Sequence, residues 1–316
     1  MEKNTLGMSD LAIAPIAFGG NVFGWTVDEK GCYEILDHFE SNGFNFIDTA
    51  DTYSNWVPGN PGGVSEQYIG NWMHLRKNRN NMIIATKVGG SMIRGGKKNL
   101  KANYIISQAE QSLRNLKTDY IDLYQTHYDD IETDPHETLE AYHKLVQDGK
   151  VRWIGASNIS PERLRASLKI SADQAYPAYI SLQPEYNLYD REKFENEYAT
   201  IAAEHNLGVI PYYSLASGFL TGKYRSEDDL NKSPRGAGIK KYFTEKGFRI
   251  LSVLDATAKK YASSPASISL AWLLTRPNIA APICSATSIS QLNQIIDAVQ
   301  IKLEQEDVDM LNQASL

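Results

Sequence analysis

Four residues along this chain have side chains that together could protonate a reacting oxygen: Asp48, Tyr53, Lys87 and His127. An unperturbed tyrosine phenol has a pKa of about 10 and is a poor proton donor at neutral pH. A nearby ammonium favours the phenolate and lowers that pKa, so Lys87 beside Tyr53 would make the phenol a stronger acid. Asp48 can hold Lys87 charged, and His127 can donate a hydrogen bond that orients a substrate oxygen. The set suits the reduction of a carbonyl, whose oxygen gains charge as it receives hydride.

Each of these residues taken alone has a plain structural interpretation. Asp48 and Lys87 could form a structural ion pair, Tyr53 could be a rim tyrosine, and His127 could be a hydrogen-bonded core histidine. Their combination, and not any single member, favours a catalytic role.

The elements that must position these residues are short apolar runs that predict buried strands. Asp48 ends the run at residues 46–48, Lys87 lies at the end of 82–88, and His127 follows 120–125. Further polar residues end the next three predicted strands, and these are Ser157, Asn158, Gln183 and Tyr212. Polar residues at successive strand ends indicate a functional site at the C-terminal mouth of a barrel.

Eight predicted strands alternate with helices along the 316 residues. They cover residues 13–18, 46–48, 82–88, 120–125, 151–156, 179–182, 209–212 and 280–284. The alternation predicts an α/β protein, a (β/α)8 TIM barrel, in which the whole chain 1–316 forms a single domain. A β-hairpin in residues 1–14 is expected before the barrel and an extra helix at 304–314 after it. Ser65 is expected to cap the second helix, and residues 223–247 to form a long polar loop.

The composition excludes several classes of protein. The net charge is -6, from 32 basic and 38 acidic residues, without the basic stripe that nucleic-acid binding needs. Two distant cysteines, Cys32 and Cys284, suit a reducing compartment. No apolar run approaches the ~20 residues of a membrane span, and the first residues lack the apolar core of a signal peptide. The prediction is a cytoplasmic protein that acts on small molecules, without a bound metal, since His136 and His143 have no third ligand in view.

Several motifs in the same order resemble the aldo-keto reductase superfamily over nearly the whole chain. They are Asp48-Thr49-Ala50 with Tyr53, Ser65-Glu66 with Gly70, Thr86-Lys87, Asp122-Leu123 with His127, Gly155-Ala156-Ser157-Asn158, Gln183 before Glu185-Tyr186-Asn187, and residues 218–223. The resemblance implies a (β/α)8 barrel that binds NADP(H) across its mouth and transfers hydride from it to an aldehyde or ketone. It implies that Tyr53 is the general acid, that Lys87 and Asp48 tune it, and that His127 orients the substrate.

The resemblance also implies a set of cofactor-binding residues. Ser157, Asn158 and Gln183 would hold the nicotinamide amide, and Tyr212 would stack on the ring. Leu215, Gly218 and Lys223 would form the loop on the pyrophosphate side, and Ser285, Thr287 and Gln291 would lie at the adenosine end. Plausible walls of an aromatic substrate pocket are Trp25, Trp56 and Tyr128, although Trp25 could instead pack in the core.

The segment 285–295 departs from the family pattern, with Ser285 in place of the usual Gly and Ile295 in place of the usual Asn. It contains no cation, whereas the 2′-phosphate of NADP would prefer a guanidinium or ammonium. The preference for NADP(H) over NAD(H) is therefore expected to be narrow. Cations from elsewhere could compensate, and the candidates are Arg225, Arg235 and Arg276.

Two other functions remain open from the sequence. The superfamily includes ion-channel subunits, so the chain could be a cofactor-binding regulatory or redox-sensing module with little turnover. Lys87 could alternatively be the nucleophile of a Schiff-base aldolase, which needs a depressed lysine pKa. Asp48 argues against that chemistry because a nearby carboxylate favours the charged lysine. The substrate, among sugars, aliphatic aldehydes and aromatic aldehydes, and the oligomeric state are not predicted.

Overall fold

The fold is built around eight parallel strands, as seen in a computed structural model that describes residues 2–92, 95–234 and 236–316. The parallel strands are β3 (Ala17–Gly19), β4 (Phe46–Asp48), β5 (Ile83–Val88), β6 (Ile121–Thr126), β7 (Val151–Ser157), β8 (Tyr179–Gln183), β9 (Gly208–Val209) and β10 (Ile283–Cys284). They are preceded by a separate antiparallel pair, β1 (Asn4–Thr5) and β2 (Ala12–Ile13). Strands β3 to β9 pair with their neighbours in chain order, and β10 pairs with β3. The segment before β10 joins β9 through Ala280 N–H donating to Val209 O at 2.8 Å, so the ring of strands closes. This confirms the predicted (β/α)8 barrel.

The helices surround the strands. They are α1 (Glu29–Ser41), α2 (Val64–Arg76), α3 (Ala102–Leu116), α4 (Pro135–Gln147), α5 (Pro161–Gln174), α6 (Ala199–Glu204), α7 (Glu245–Lys260), α8 (Pro265–Leu274), α9 (Ile289–Asp297) and α10 (Gln305–Ala314). Several begin where the sequence provides a cap: the Ser160 side chain accepts from Arg163 N–H ahead of Pro161 at the first position. The last, α10, is the additional helix expected beyond the barrel. Among the described helices, none is both long and apolar enough to cross a bilayer.

The N-terminal hairpin is confirmed, but the predicted strand at 13–18 is divided. Strands β1 and β2 pair antiparallel, and Gly7 between them has φ of +57°, which suits glycine. Ile13 belongs to the hairpin, whereas barrel pairing begins only at Ala17. Pro15 lies between them and lacks the N–H needed to continue a ladder. The hairpin's Leu6 and Ile13 pack with Phe46 and other barrel-interior residues, so it seals that region of the barrel.

Three other boundaries differ from expectation. Ser65 does not cap α2; Gly63, with φ of +73°, takes that position, and Ser65 Oγ donates to Gly20 O at 2.8 Å. The sequence also predicts a helix over 191–206, but this segment contains the π-helical turn Phe194–Tyr198 before α6. Within its described residues, the predicted polar loop at 223–247 contains three short 3₁₀ turns and is anchored by the buried rings of Tyr224 and Tyr242.

Candidate active site

Lys87 is the centre of the polar cluster at the mouth of the barrel. Its ammonium donates to Asp48 Oδ2 at 2.6 Å, to the Thr49 carbonyl at 2.8 Å and to Tyr53 Oη at 2.7 Å. The Lys87 side chain is fully buried. Lysine has three N–H donors, so all three are used within this cluster. The predicted neighbourhood of Asp48, Tyr53 and Lys87 is therefore present as a set of direct contacts.

The Asp48 carboxylate is hydrogen-bonded on both oxygens. Oδ2 accepts from Lys87 and, more weakly, from the Tyr53 hydroxyl at 3.3 Å. Oδ1 accepts from Gln183 Nε2 at 2.9 Å and from Gln125 Nε2 at 3.2 Å. Both oxygens of this buried carboxylate therefore have hydrogen-bond donors, as a buried polar group requires. The sequence analysis missed Gln125; its only signal is an amide near the end of β6, two residues before His127.

The pKa values of Tyr53 and Lys87 differ in direction from the simple expectation. Burial first, and then the negative charge of Asp48, raise the pKa of the Tyr53 phenol well above its usual value. The prediction that the Lys87 ammonium would leave this pKa lowered is therefore wrong, because burial outweighs the cation. Burial also lowers the pKa of Lys87, against the opposing effect of Asp48. Tyr53 is thus held as a protonated phenol, which is the form that a general acid requires.

His127 follows β6 and lies beside Tyr53 in a buried position. Its ring stacks on Tyr128 at 4.4 Å between centroids and meets the Tyr53 ring edge-on at 5.9 Å. Burial, followed by the charge of Lys87, lowers the pKa of His127 well below its usual value. The imidazole is therefore neutral at physiological pH and can donate one N–H without carrying charge.

We expect His127 to produce no acid limb in the pH profile of kcat/KM between about pH 5.5 and 7.5, although an unperturbed histidine titrates at about 6.5. The sign follows from the lowered pKa, which moves protonation of the ring to more acidic pH. Steady-state rates across this range in wild type and in His127→Asn check this. Loss of one hydrogen bond should lower kcat/KM up to ~tenfold, with no change in the shape of the profile. A wild-type limb near pH 6.5 that vanishes in His127→Asn would contradict a neutral His127.

The cluster opens into a cleft of about 1310 Å³. This exceeds the ~300–1,000 Å³ of an ordinary small-ligand pocket, so a dinucleotide and a substrate could share it. The lining brings together the predicted residues other than Lys87, which lies directly behind Tyr53: Asp48, Tyr53, His127, Ser157, Asn158, Gln183, Tyr212, Leu215, Gly218, Lys223, Ser285, Thr287, Gln291, Trp25, Trp56 and Tyr128. Their common location supports the predicted grouping, while their individual roles stay predictions.

The residues predicted to hold a nicotinamide amide form one hydrogen-bonded network. Asn158 Nδ2 donates to His127 O at 2.9 Å, and its Oδ1 accepts from the Tyr212 hydroxyl at 3.0 Å. Ser157 Oγ donates to Gln183 O at 2.8 Å. Through Gln183, which also donates to Asp48, this network is continuous with the acid cluster. A planar group placed against it would be held in a fixed position relative to Tyr53.

The predicted pyrophosphate-side loop has an unusual backbone. Ala216, Ser217 and Gly218 are all left-handed, with φ of 47°, 57° and 102°. Successive residues of this kind change the direction of the chain sharply, and Gly218 adopts such a φ without the penalty of a Cβ. The loop begins at Leu215, whose carbonyl accepts from Gly218 N–H at 2.8 Å, and Lys223 follows it on the cleft lining. A flexible cation beside this loop fits an anionic ligand.

Two of the arginines proposed to compensate for the missing cation, Arg225 and Arg276, do not line the cleft. Arg225 donates to the Gly222 carbonyl and pairs with Asp255 at 2.7 Å. Arg276 lies near Tyr186 and Glu195 and is absent from the cleft lining. The third, Arg235, lies outside the described residues. Over the part of the chain that the structure describes, the cations on the cleft lining are Lys98, Lys223 and Lys232.

The proposed substrate walls lie on one side of the cleft. Trp25 and Trp56 meet edge-to-face at 5.7 Å, and Trp56 also contacts the Tyr53 ring at 6.2 Å. Trp25 lines the cleft, which favours the pocket interpretation over core packing. Tyr213, whose ring is 47% exposed, adds an aromatic surface that the sequence analysis missed. Its signal was only its place after Tyr212 at a strand end.

Known proteins are similar to this chain over nearly its whole length. The model of the Aldo/keto reductase family matches residues 15–315. The chain is 32% identical to the "Uncharacterized oxidoreductase YrpG" of Bacillus subtilis, over 99% of this chain and 95% of the relative. It is 30% identical to the "Aldo-keto reductase AFTS1" of Alternaria alternata, over 98% and 90% of the two chains. A "Probable voltage-gated potassium channel subunit beta" of Arabidopsis thaliana is 28% identical over 95% and 92%.

Proposed function

Since the chain belongs to the aldo/keto reductase family, we propose that it is an NADP(H)-dependent enzyme that reduces an aldehyde or ketone, with Tyr53 as the general acid. The family and the names of the relatives support an oxidoreductase in general terms. The observation that carries the finer proposal is the contact of Lys87 with both Tyr53 Oη and Asp48, beside a cleft large enough for two ligands.

The cleft has features that fit a dinucleotide. A hydrogen-bonded polar network lies beside Tyr53, a left-handed loop with a nearby lysine also lines the cleft, and hydroxyl and amide side chains line its other end. Ser157, Asn158 and Gln183 would hold the nicotinamide, Leu215, Gly218 and Lys223 the phosphates, and Ser285, Thr287 and Gln291 the adenosine end. Bound NADPH would supply the hydride.

The chain's own residues would handle the proton. A substrate carbonyl that accepts from Tyr53 and His127 is polarised by two neutral donors, which gain strength as its oxygen becomes negative. Tyr53 then gives its proton to that oxygen. Lys87, held by Asp48, stabilises the phenolate left behind because its ammonium already contacts Oη. The raised pKa keeps the Tyr53 phenol protonated before the reaction. The Lys87 ammonium lowers the free-energy cost of forming the phenolate.

A panel of sugars, aliphatic aldehydes and aromatic aldehydes tests the proposal, with NADPH or NADH and the nicotinamide absorbance as the readout. We expect oxidation of NADPH by at least one class of carbonyl. The aromatic walls formed by Trp25, Trp56 and Tyr128 favour substrates with a ring.

A regulatory module with little turnover is the second candidate, because channel β subunits are named among the relatives. It predicts tight NADPH binding without oxidation by any carbonyl. A Schiff-base role for Lys87 has less support, because its three donors are occupied and the side chain is fully buried. A cytoplasmic location and a single-domain organisation stay predictions.

The cofactor preference gives a further prediction. We expect NADPH to bind more tightly than NADH by a narrow margin, and Gln291→Arg, on the cleft lining, to widen it. An arginine replacing a neutral hydrogen bond to phosphate contributes about 1–2 kcal/mol, or roughly five- to thirtyfold in Kd. Ser290→Arg should widen it too, but Ser290 lies outside the lining and is the weaker test.

Titration of both cofactors by quenching of protein fluorescence measures the margin. Gln300→Arg is a matched control, since it adds the same charge away from the cleft lining. Tighter binding of NADH by the wild type would make the protein an NAD-preferring member of its family.

A further inference from the structure

Two buried carboxyl groups that this mechanism does not use lie behind Lys87. Asp51 is 3% exposed and Glu66 is 0% exposed. Asp51 lies in the turn between Asp48 and Tyr53, and its backbone N–H donates to Lys87 O at 3.3 Å. Glu66, in the first turn of α2, accepts from Thr86, the neighbour of Lys87 in β5. Two separate elements therefore bring additional acids to the rear of the catalytic lysine.

The two acids differ in their hydrogen bonds. Glu66 accepts from Thr86 Oγ1 at 2.6 Å and from Asn115 Nδ2 at 2.9 Å, one bond to each oxygen. Neither side-chain oxygen of Asp51 has a hydrogen-bond partner within the described ranges. Hydrogen bonds stabilise the ionised form of a carboxyl, whereas burial without a partner strongly disfavours it. Glu66 is therefore the site for a negative charge and Asp51 the site for a proton.

The charges around the pair lead to the same assignment. If both were ionised, they and Asp48 would place three negative charges around one buried ammonium. Among the described residues, three phenols interact with Asp51 and carry no charge, and these are Tyr104, Tyr124 and Tyr142. Burial, with repulsion from Glu66, raises the pKa of Asp51 well above its usual value; burial also raises the pKa of Glu66, which its hydrogen bonds oppose. Two like charges in one site are expected to share a proton in this way.

We propose that Asp51 and Glu66 together carry a single negative charge, with the proton on Asp51, and that this charge is a second counter-ion of Lys87. When ionised, either acid acts on Lys87 in the direction that favours its ammonium form. Glu66 is then a positioning residue: it acts on Tyr53 through Lys87 and does not touch the substrate. The Asp51 carboxyl, which has no hydrogen-bond partner among the described residues, can ionise and carry the charge when Glu66 does not.

Replacing the two acids singly and together should have non-additive effects on the pH dependence of turnover, an expectation that rests on the proposed function. Asp51→Asn removes no charge and should leave the basic limb of the kcat pH profile in place. Glu66→Gln should shift it little, because Asp51 can ionise once the repulsion is gone. The double variant has no carboxyl to hold the charge, so both Lys87 and Tyr53 lose protons more readily. Its basic limb should move to lower pH by more than the two single shifts combined, whereas additive shifts would overturn the shared charge.

A second test needs no turnover. Above the unfolded pKa of about 3.9, wild-type Asp51 must take up a proton on folding, so wild-type stability falls as pH rises toward the raised folded pKa. Asp51→Asn lacks this dependence. Its Tm relative to wild type should therefore increase as the pH rises above about 4. A Tm difference that is constant over this range would overturn the proton assignment even if carbonyl reduction is found. The expected Tm trend in a protein without reductase activity would instead overturn only the proposed function.

Discussion

Replacing Tyr53 by Phe should lower kcat for carbonyl reduction by roughly 10²–10⁴-fold, the range that general acid catalysis contributes. The hydroxyl removed is the one that contacts Lys87 at 2.7 Å beside the cleft. The ring, its edge contact with Trp56 and the Asp48–Lys87 pair all remain in Tyr53→Phe. The loss should therefore fall on the chemical step, and single-turnover kinetics with NADPH in excess would measure it.

Two controls separate this loss from a general disturbance of the cleft. NADPH affinity, measured by fluorescence quenching, should barely change in Tyr53→Phe. Tyr128→Phe removes a hydroxyl from another cleft-lining tyrosine while keeping its stack on His127, and it should retain most of the activity. Near-wild-type turnover of Tyr53→Phe, with hydride transfer limiting, would remove Tyr53 from the acid role.

Lys87→Met should produce the second large effect, acting on activity and stability together. Because Lys87 acts through Tyr53, Lys87→Met should lower kcat by no more than the roughly 10²–10⁴-fold expected for Tyr53→Phe. The phenolate loses the ammonium that contacts its oxygen, so the basic limb of the pH profile should move to higher pH. Asp48 is left buried without its charge partner, a change that typically costs about 3–5 kcal/mol of folding stability.

The double variant Asp48→Asn with Lys87→Met separates these two consequences. It removes both charges and keeps a polar side chain facing Gln125 and Gln183, so much of the lost stability should return while kcat stays low. Denaturant unfolding and pH–rate profiles measure the two properties independently. Recovery of activity together with stability would show that the pair is structural only, and an unchanged pH profile in Lys87→Met would argue against the link to Tyr53.

The sequence predicted the barrel and the mouth of the site because both depend on short-range patterns. Apolar runs that end in Asp48, Lys87 and His127 at intervals of one strand–helix unit mark the carboxyl edge of a parallel sheet. The geometry of that edge then requires these side chains to meet. The left-handed loop at Gly218 and the far end at Gln291 followed from family resemblance and not from any residue pattern.

The features that could not be predicted from the sequence depend on packing between residues that are far apart in the chain. Nothing local to Asp51 shows that its carboxyl is buried without a partner among the described residues, or that Glu66 approaches from helix α2. The direction of the Tyr53 pKa depended on how far burial would outweigh the cation, which requires the closed cluster. Arg225 was a candidate to bind the phosphate, but its guanidinium pairs with Asp255 in α7, thirty residues further along the chain.

The most direct test of carbonyl reduction with Tyr53 as acid follows the hydride itself. The protein would be incubated with NADPH deuterated at the reactive position and an aldehyde, and the product examined by mass spectrometry. If the protein reduces carbonyls with Tyr53 as the acid, we expect an alcohol with one deuterium on the former carbonyl carbon, formed by wild type and Tyr128→Phe and nearly lost in Tyr53→Phe. NADPH that binds but yields no deuterated alcohol from any carbonyl class would contradict it and favour the regulatory alternative.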